Sequence, residues 1–206
     1  PLTSIRMIVS RLANEEQSIE QQANIRKVNI LLERTEWLIS TLLKIARLES
    51  GKVQFSDESI IIEALINDIL EPLEILIDIK DISLSCDIKN NASFIGDRLW
   101  STEALGNILK NCIEHCPNGG KLEIFATENP LYTEVIISDN GTGFDEKDIP
   151  HLFDRFYRGS NSSKESAGIG LHLSRMIISK QNGVITAANK ASGGAQFTIR
   201  IYKGAV

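Results

Sequence analysis

The spacing of apolar positions changes rhythm once along the chain. Leu2, Ile5, Val9 and Leu12 are spaced 3, 4, 3. After the polar stretch ANEEQSIEQQAN, Val28, Leu31, Thr35, Leu38, Leu42 and Ile45 are spaced 3, 4, 3, 4, 3. That is a heptad seam on a helix. Leu32, Ile39 and Ala46 add a second stripe beside it, wider than a two-stranded seam needs. The pattern therefore predicts a helical hairpin that pairs with a second copy to make a four-helix bundle. The competing expectation is two surface helices packed on their own domain. Ser50-Gly51 supplies a stop for the second helix.

From Val53 onward, short β-type runs alternate with helical stretches. ISLSCDI (82–88), SFIG (93–96), KLEIFAT (121–127), YTEVIISD (132–139), VITAAN (184–189) and QFTIRIY (196–202) read as strands. Helical periodicity covers Ser59 to Ile77 with an internal Pro72, Asp97 to His115 with Asp97 as its cap, and Ile169 to Lys180. The turn between 121–127 and 132–139 is short enough for a hairpin. The expected class is α+β, with helices on one face of a mostly antiparallel sheet. A domain boundary is expected between residues 51 and 52. RGSNSSKESAG (158–168) has the Gly/Ser/Asn content of a mobile loop.

Composition narrows the function classes. The chain has 206 residues, 42% hydrophobic, with a formal net charge of −5, which suits a soluble aliphatic core and argues against a nucleic-acid partner. No run reaches the roughly 18 apolar residues of a membrane span, so the chain itself is expected to make no membrane contact. Three cysteines, Cys86, Cys112 and Cys116, are no disulfide framework and fit a reducing compartment.

Candidate chemistry concentrates around NCIEHCPNGG (111–120). Cys112, His115 and Cys116 share one end of a helix and offer either three zinc ligands or an activated thiol. A different row uses amides: Asn107, Asn111 and His115 lie at i, i+4 and i+8 on one helix face. Such a row presents oxygens to Mg²⁺, which prefers hard oxygen ligands, and N–H groups to phosphates. SDNGTGF (138–144) puts Asp139 at a strand end beside Gly141 and Gly143. Its carboxylate can accept from an exocyclic amine, and the glycines let a planar base approach the backbone. GIGLHL (168–173) opens a helix with Gly168, Gly170 and Leu171, an arrangement suited to phosphate. SGGAQFTIRI (192–201) places a glycine pair before a strand.

Taken in order, these pieces resemble the catalytic domain of sensor histidine kinases. Asn-x-x-x-Asn is similar to the family's N box, and Asp139-x-Gly141-x-Gly143 to its first glycine box. LFDRFYRG (152–159) is similar to the F box, Gly168-Ile169-Gly170-Leu171 to the second glycine box, and Gly193-Gly194 to the last. TEWLISTLLKIARLESG (35–51) is similar to the second helix of the family's dimerisation hairpin. The resemblance covers essentially the whole chain. It implies the two-layer α/β sandwich of the GHKL ATPases, preceded by a hairpin that forms a homodimeric four-helix bundle.

By that resemblance Asn111 ligates the Mg²⁺ bridging the phosphates of ATP, Asn107 supports it, and His115 lies near the phosphates. Asp139 holds the adenine amine, Gly141 and Gly143 line the base pocket, and Gly168, Gly170 and Leu171 sit under the phosphates. The lid is expected at about 154–168. Arg155 and Arg158 either approach the γ-phosphate or are solvated lid residues. Thr198 is expected on the adenine side, through water. The implied activity is transfer of the γ-phosphate to a histidine and on to an aspartate of a cognate response regulator. The whole protein is expected at the cell membrane, with this part on the cytoplasmic side.

Three positions depart from the family pattern: Glu114 where a basic residue is frequent, Cys112 for a small alanine, and His172 for a third glycine. The family's phosphoacceptor histidine lies a few residues before the Pro of PLTSI, the chain's first residues. His115, His151 and His172 are the histidines present, and none falls in the first helix, so the chain is expected to bind ATP·Mg²⁺ without labelling itself. Two alternatives stand beside this reading. One is a non-catalytic ATP-gated dimerisation module, favoured by Glu114 and His172. The other is a different GHKL branch, against which the hairpin and the F box argue.

Overall fold

The computed structural model describes residues 2–13, 18–89, 91–160 and 167–204. The chain divides into two compact units, residues 1–47 and 48–206. The first is helical. Helix α1 runs Leu2–Ala13 and α2 runs Ile19–Glu49, its last two residues belonging to the second unit. A reciprocal pair of hydrogen bonds starts α2: the Ser18 N–H donates to Gln21 Oε1 at 2.9 Å, and the Gln21 N–H to Ser18 Oγ at 3.3 Å. This capping box is written in the sequence as Ser-x-x-Gln. Arg6 ties the two helices through Glu36, at 3.2 Å. Val9 and Thr41 are buried, whereas Ile8, Ile30, Leu31 and Leu43 remain more than half exposed. The heptad pattern thus leaves much apolar surface uncovered in the single chain.

The second unit has two layers. Its sheet contains β2 (Ser83–Ile88), β4 (Lys121–Glu128), β5 (Tyr132–Asp139), β6 (Gly183–Asn189) and β7 (Ala195–Tyr202), in the order β2-β4-β5-β7-β6. β2 is parallel to β4 and every other pair is antiparallel. A separate two-stranded ribbon pairs β1 (Glu58–Ile61) with β3 (Ser93–Gly96). Strand alternation buries one face: Leu122, Ile124 and Ala126 of β4, Val135 and Ile137 of β5, and Phe197 and Ile199 of β7. Over it lie α3 (Ile62–Leu70), α5 (Arg98–His115) and α6 (Gly170–Lys180). The Ser174 hydroxyl of α6 donates to the Ala104 carbonyl of α5 at 2.9 Å, locking those two helices together.

The α+β class and the strands expected from alternation are present, as is the hairpin of β4 and β5. One helix differs. Residues 59–61 of the expected helix 59–77 belong to β1, because the β-branched run Ile60-Ile61 pairs with Ser93 and Phe94. The rest is interrupted where Pro72 sets a 3-10 turn over Glu71–Leu73, after which α4 continues over Glu74–Ile79. The α2 stop is as expected, with Gly51 at φ +67.

Asp97 caps α5, accepting from the Trp100 N–H at 3.0 Å and from the Ser56 N–H and hydroxyl at 3.1 Å each. Partial burial raises its pKa, but these donors outweigh burial and leave it below the ordinary carboxylate value. The carboxylate therefore stabilises the fold above the unfolded-state pKa of about 3.9, and that contribution is lost as pH falls through the lower folded value. Asp97→Asn, compared with the parent by urea unfolding, is expected to be less stable by a constant amount above about pH 5. The two curves should converge as pH falls below about 4.

Candidate functional site

The site lies where the C-terminal half of α5, the end of β5 and the start of α6 meet. Asp139, the last residue of β5, is 1% exposed. Its Oδ1 accepts from the Gly141 N–H at 2.8 Å and from the Ala195 N–H at 3.3 Å. Its Oδ2 is equally buried and has no partner. A buried acceptor left unpaired costs on the order of 1–3 kcal/mol, so this oxygen is kept for something that donates to it. The Cys112 thiol packs nearby. Burial first, and then the Asp139 charge, push its pKa well above the ordinary thiol value, which is the environment of an inert thiol rather than a nucleophile.

The backbone crowds closely around this carboxyl group. A Cβ on Gly141 would lie 2.5 Å from the His115 carbonyl, and one on Gly194 would lie 2.0 Å from the Asp139 carbonyl. Gly194 has φ +95. The glycine pair before β7 therefore lets two backbone segments touch at the site. Gly143 has φ +69, and a Cβ there would run into Asn189 Oδ1 at 2.5 Å.

The amide row forms a second wall. Asn107 Nδ2 is buried and unpaired. Gly170 faces this side chain, its Cβ position 3.7 Å from Asn107 Cγ and Oδ1. Asn111 and His115 follow on the same helix, both half-buried. Among the described residues no side chain caps α6, and the N–H groups of its first turn, including that of half-buried Leu171, are left without intrahelical acceptors. Gly168 has φ +67, and its carbonyl accepts from the Phe156 N–H at 2.8 Å. Glu114 turns outward and pairs with Lys110 at 3.8 Å. His172 Nδ1–H donates to the Phe153 carbonyl at 3.0 Å and so joins α6 to the 152–159 segment.

Asp139, Gly141, Gly143, Asn107, Gly170 and the α6 start thus come together. Thr198 does not join them. It pairs across the sheet with Ile136 and Thr186 and alternates with the buried Phe197 and Ile199, which puts it on the face away from the helices and from Asp139. Ala195 is the β7 residue that meets Asp139. Arg155 lies 3.5 Å from Glu49 and against the Phe156 ring at 5.1 Å. Arg158 is exposed. Residues 161–166 of the expected lid lie outside the described residues.

Two contributors were not foreseen. Asn189, at the end of β6, accepts from the Phe144 N–H at 2.7 Å and donates to the Phe144 carbonyl at 2.8 Å, pinning the glycine loop with one amide. Buried Asp148 accepts from the Tyr157 hydroxyl at 2.8 Å and from the Ser160 N–H at 2.6 Å. The Ser160 N–H first, and then the Tyr157 hydroxyl, hold its pKa below the ordinary value. Neither residue has a local signal in the sequence, because each acts on a segment reached only by folding. Asn189→Ala is expected to raise hydrogen exchange at the Phe144 amide by roughly fivefold, the equivalent of one hydrogen bond, while amides in the middle of β7 stay protected.

The chain is similar in sequence and fold to known proteins. The sensor protein SphS of Synechococcus elongatus is 29% identical over 212 residues, covering 98% of this chain and 51% of SphS. The solved structure of full-length ShkA in complex with AMPPNP superposes with a TM-score of 0.82 at 18% identity, covering 100% of this chain and 44% of ShkA. The Acinetobacter baumannii histidine kinase AdeS superposes at 0.73 and 21% identity, covering 99% of this chain and 94% of that structure. The chain spans about half the length, or less, of SphS and other curated relatives it matches. Residues 96–204, more than half of the chain, match the family of histidine kinase-, DNA gyrase B- and HSP90-like ATPases, and the chain belongs to that family.

Proposed function

We propose that the chain is the ATP·Mg²⁺-binding kinase core of a two-component sensor histidine kinase. The observation that carries this reading is the buried, unpaired Oδ2 of Asp139, beside the close-packed Gly141 and Gly194. The exocyclic amine of adenine supplies the donor this oxygen lacks. Gly141 and Gly194 bring backbone segments against this end of β5, which fixes the carboxyl group that the amine would meet. At the other end, the uncapped first turn of α6 offers N–H groups and a positive dipole end to phosphates, from Gly168 and Gly170 to Leu171.

Asn111 is the proposed Mg²⁺ ligand, with Asn107 beside it and His115 near the phosphates. Among the described residues no group of three or more His, Cys, Asp or Glu comes together as a metal cage. A nucleotide-bound Mg²⁺ needs none, because phosphates, waters and one or two protein oxygens hold it. When bound, ATP supplies the γ-phosphoryl group. The residues of this chain orient it and hold its charge, which is most of what phosphoryl transfer demands. The outward turn of Glu114 toward Lys110 removes one objection to catalysis.

Residues 1–51 are proposed as part of the dimerisation hairpin. Their exposed Ile8, Ile30, Leu31 and Leu43 supply apolar surface for a second copy. A cognate response regulator is the proposed acceptor of the relay, and the whole protein is proposed to work at the cell membrane. Among the described residues no helix is long and apolar enough to cross one.

Calorimetric titration tests the site. The parent chain is expected to bind ATP, more tightly with Mg²⁺ than without. Asp139→Asn should weaken binding by about tenfold or more, the scale of one hydrogen bond to a charged group. Asn111→Ala should abolish the Mg²⁺ dependence. A folded parent chain that binds no ATP would sink the reading.

A second expectation concerns the product. His115, His151 and His172 lie at the end of α5, in the 3-10 turn Ile149–His151 and in α6, none of them on the helical hairpin. Incubation with γ-labelled ATP should leave the chain itself unlabelled. Adding a histidine-bearing helix of the kind that precedes PLTSI in the family should produce acid-labile phosphohistidine. Its failure to appear with ATP bound would favour an ATP-gated module without transfer.

A further inference from the structure

Helix α5 carries the amide row, and its C-terminal end is held by a residue from another element. A helix leaves its last carbonyls without intrahelical partners, and here no left-handed glycine closes the end. Pro117 follows, and Cys116 is extended at φ −65 and ψ 134. Instead Lys80, just after α4, sends its ammonium to the carbonyls of Ile113, Glu114 and Cys116, each at 2.8 Å. An ammonium has three N–H groups, and all three are used. The charge also sits at the negative end of the α5 dipole.

The Lys80 main chain grips the same segment. Its carbonyl accepts from the Gly119 N–H at 2.8 Å. Asp81 then turns back through φ 51, and the Ile82 N–H donates to the Ile77 carbonyl at 3.0 Å. The carbonyl that Lys80 does not take, that of His115, is the one against Gly141. The Gly141 N–H in turn holds Asp139 Oδ1.

We propose that Lys80 is a positioning residue of the nucleotide site, an inference that rests on the ATP reading above. By fixing the Ile113 and Glu114 carbonyls it sets the depth and rotation of the last turns of α5, which carry Asn111 and His115. Through the His115–Gly141 contact it also sets that wall against Asp139. One ammonium, distant in sequence from every motif of the site, thereby fixes the amide row of α5 relative to Asp139.

The test compares the parent chain with Lys80→Met, which keeps an apolar stem and removes the donors, and with Lys80→Arg, which keeps the charge. Each is first shown to be folded by circular dichroism and is then titrated with ATP, with and without Mg²⁺. Lys80→Met is expected to bind ATP·Mg²⁺ roughly tenfold more weakly, the usual scale for loss of a residue that orients a ligand group. Most of that loss should fall in the gain that Mg²⁺ confers, and Lys80→Arg should lie between the two. A merely structural lysine would lower the thermal midpoint and leave the affinity and Mg²⁺ gain of the folded protein unchanged. That result in Lys80→Met overturns the inference. Should Lys80→Met not fold, the same result in Lys80→Arg and Lys80→Gln, a neutral side chain with two donors, overturns it equally. A parent chain that binds no ATP overturns the nucleotide reading itself, and this inference with it.

Discussion

The arrangement around the site depends on one half-satisfied carboxyl group. Asp139 is buried at the end of a central strand, with Oδ1 held by the Gly141 and Ala195 N–H groups and Oδ2 unpaired. Burying such a group opposes folding unless its hydrogen bonds are made. The fold bears that cost through its surroundings. Gly141 packs on the α5 end and Gly194 on the Asp139 backbone. These contacts hold two N–H groups on one oxygen while the other stays available.

Around that point the helices are fixed by long-range polar contacts. Lys80 fixes the end of α5, and the Ser174 hydroxyl ties α6 to the middle of α5. Gln181, after α6, accepts from the Asp97 N–H at 2.6 Å where α5 begins. The aromatic cluster of Phe144, Phe153 and Phe197, with centroids 5.5 and 6.4 Å from Phe197, joins the glycine loop and the 152–159 segment to the sheet. Each contact crosses between elements far apart in sequence, so the site exists only when both layers are assembled.

Much of this was legible beforehand. The alternation of β4, β5 and β7 gave their strands, and Asp97 announced the start of α5. The order of the Asn row, Asp139 and the glycine pairs pointed to a nucleotide site. The β1 strand was hidden because Ile60 and Ile61 also fit the helical period that continues through α3, and only pairing with Ser93 and Phe94 decides between them. Thr198 was placed by resemblance alone, whereas its alternation with the buried Phe197 and Ile199 puts it on the other face of β7.

What the sequence by itself determined is local: periodicity, caps, stops, the residue types of the motifs and their order. These follow from interactions within a few residues of the chain. What only the tertiary structure decided is convergence. Asp139 keeps one oxygen free, Asn189 pins Phe144, Asp148 holds Tyr157 and Ser160, and Lys80 closes α5. Each of these depends on a side chain meeting a backbone group whose position is set by packing the sheet against its helices, and no spacing along the chain encodes that distance.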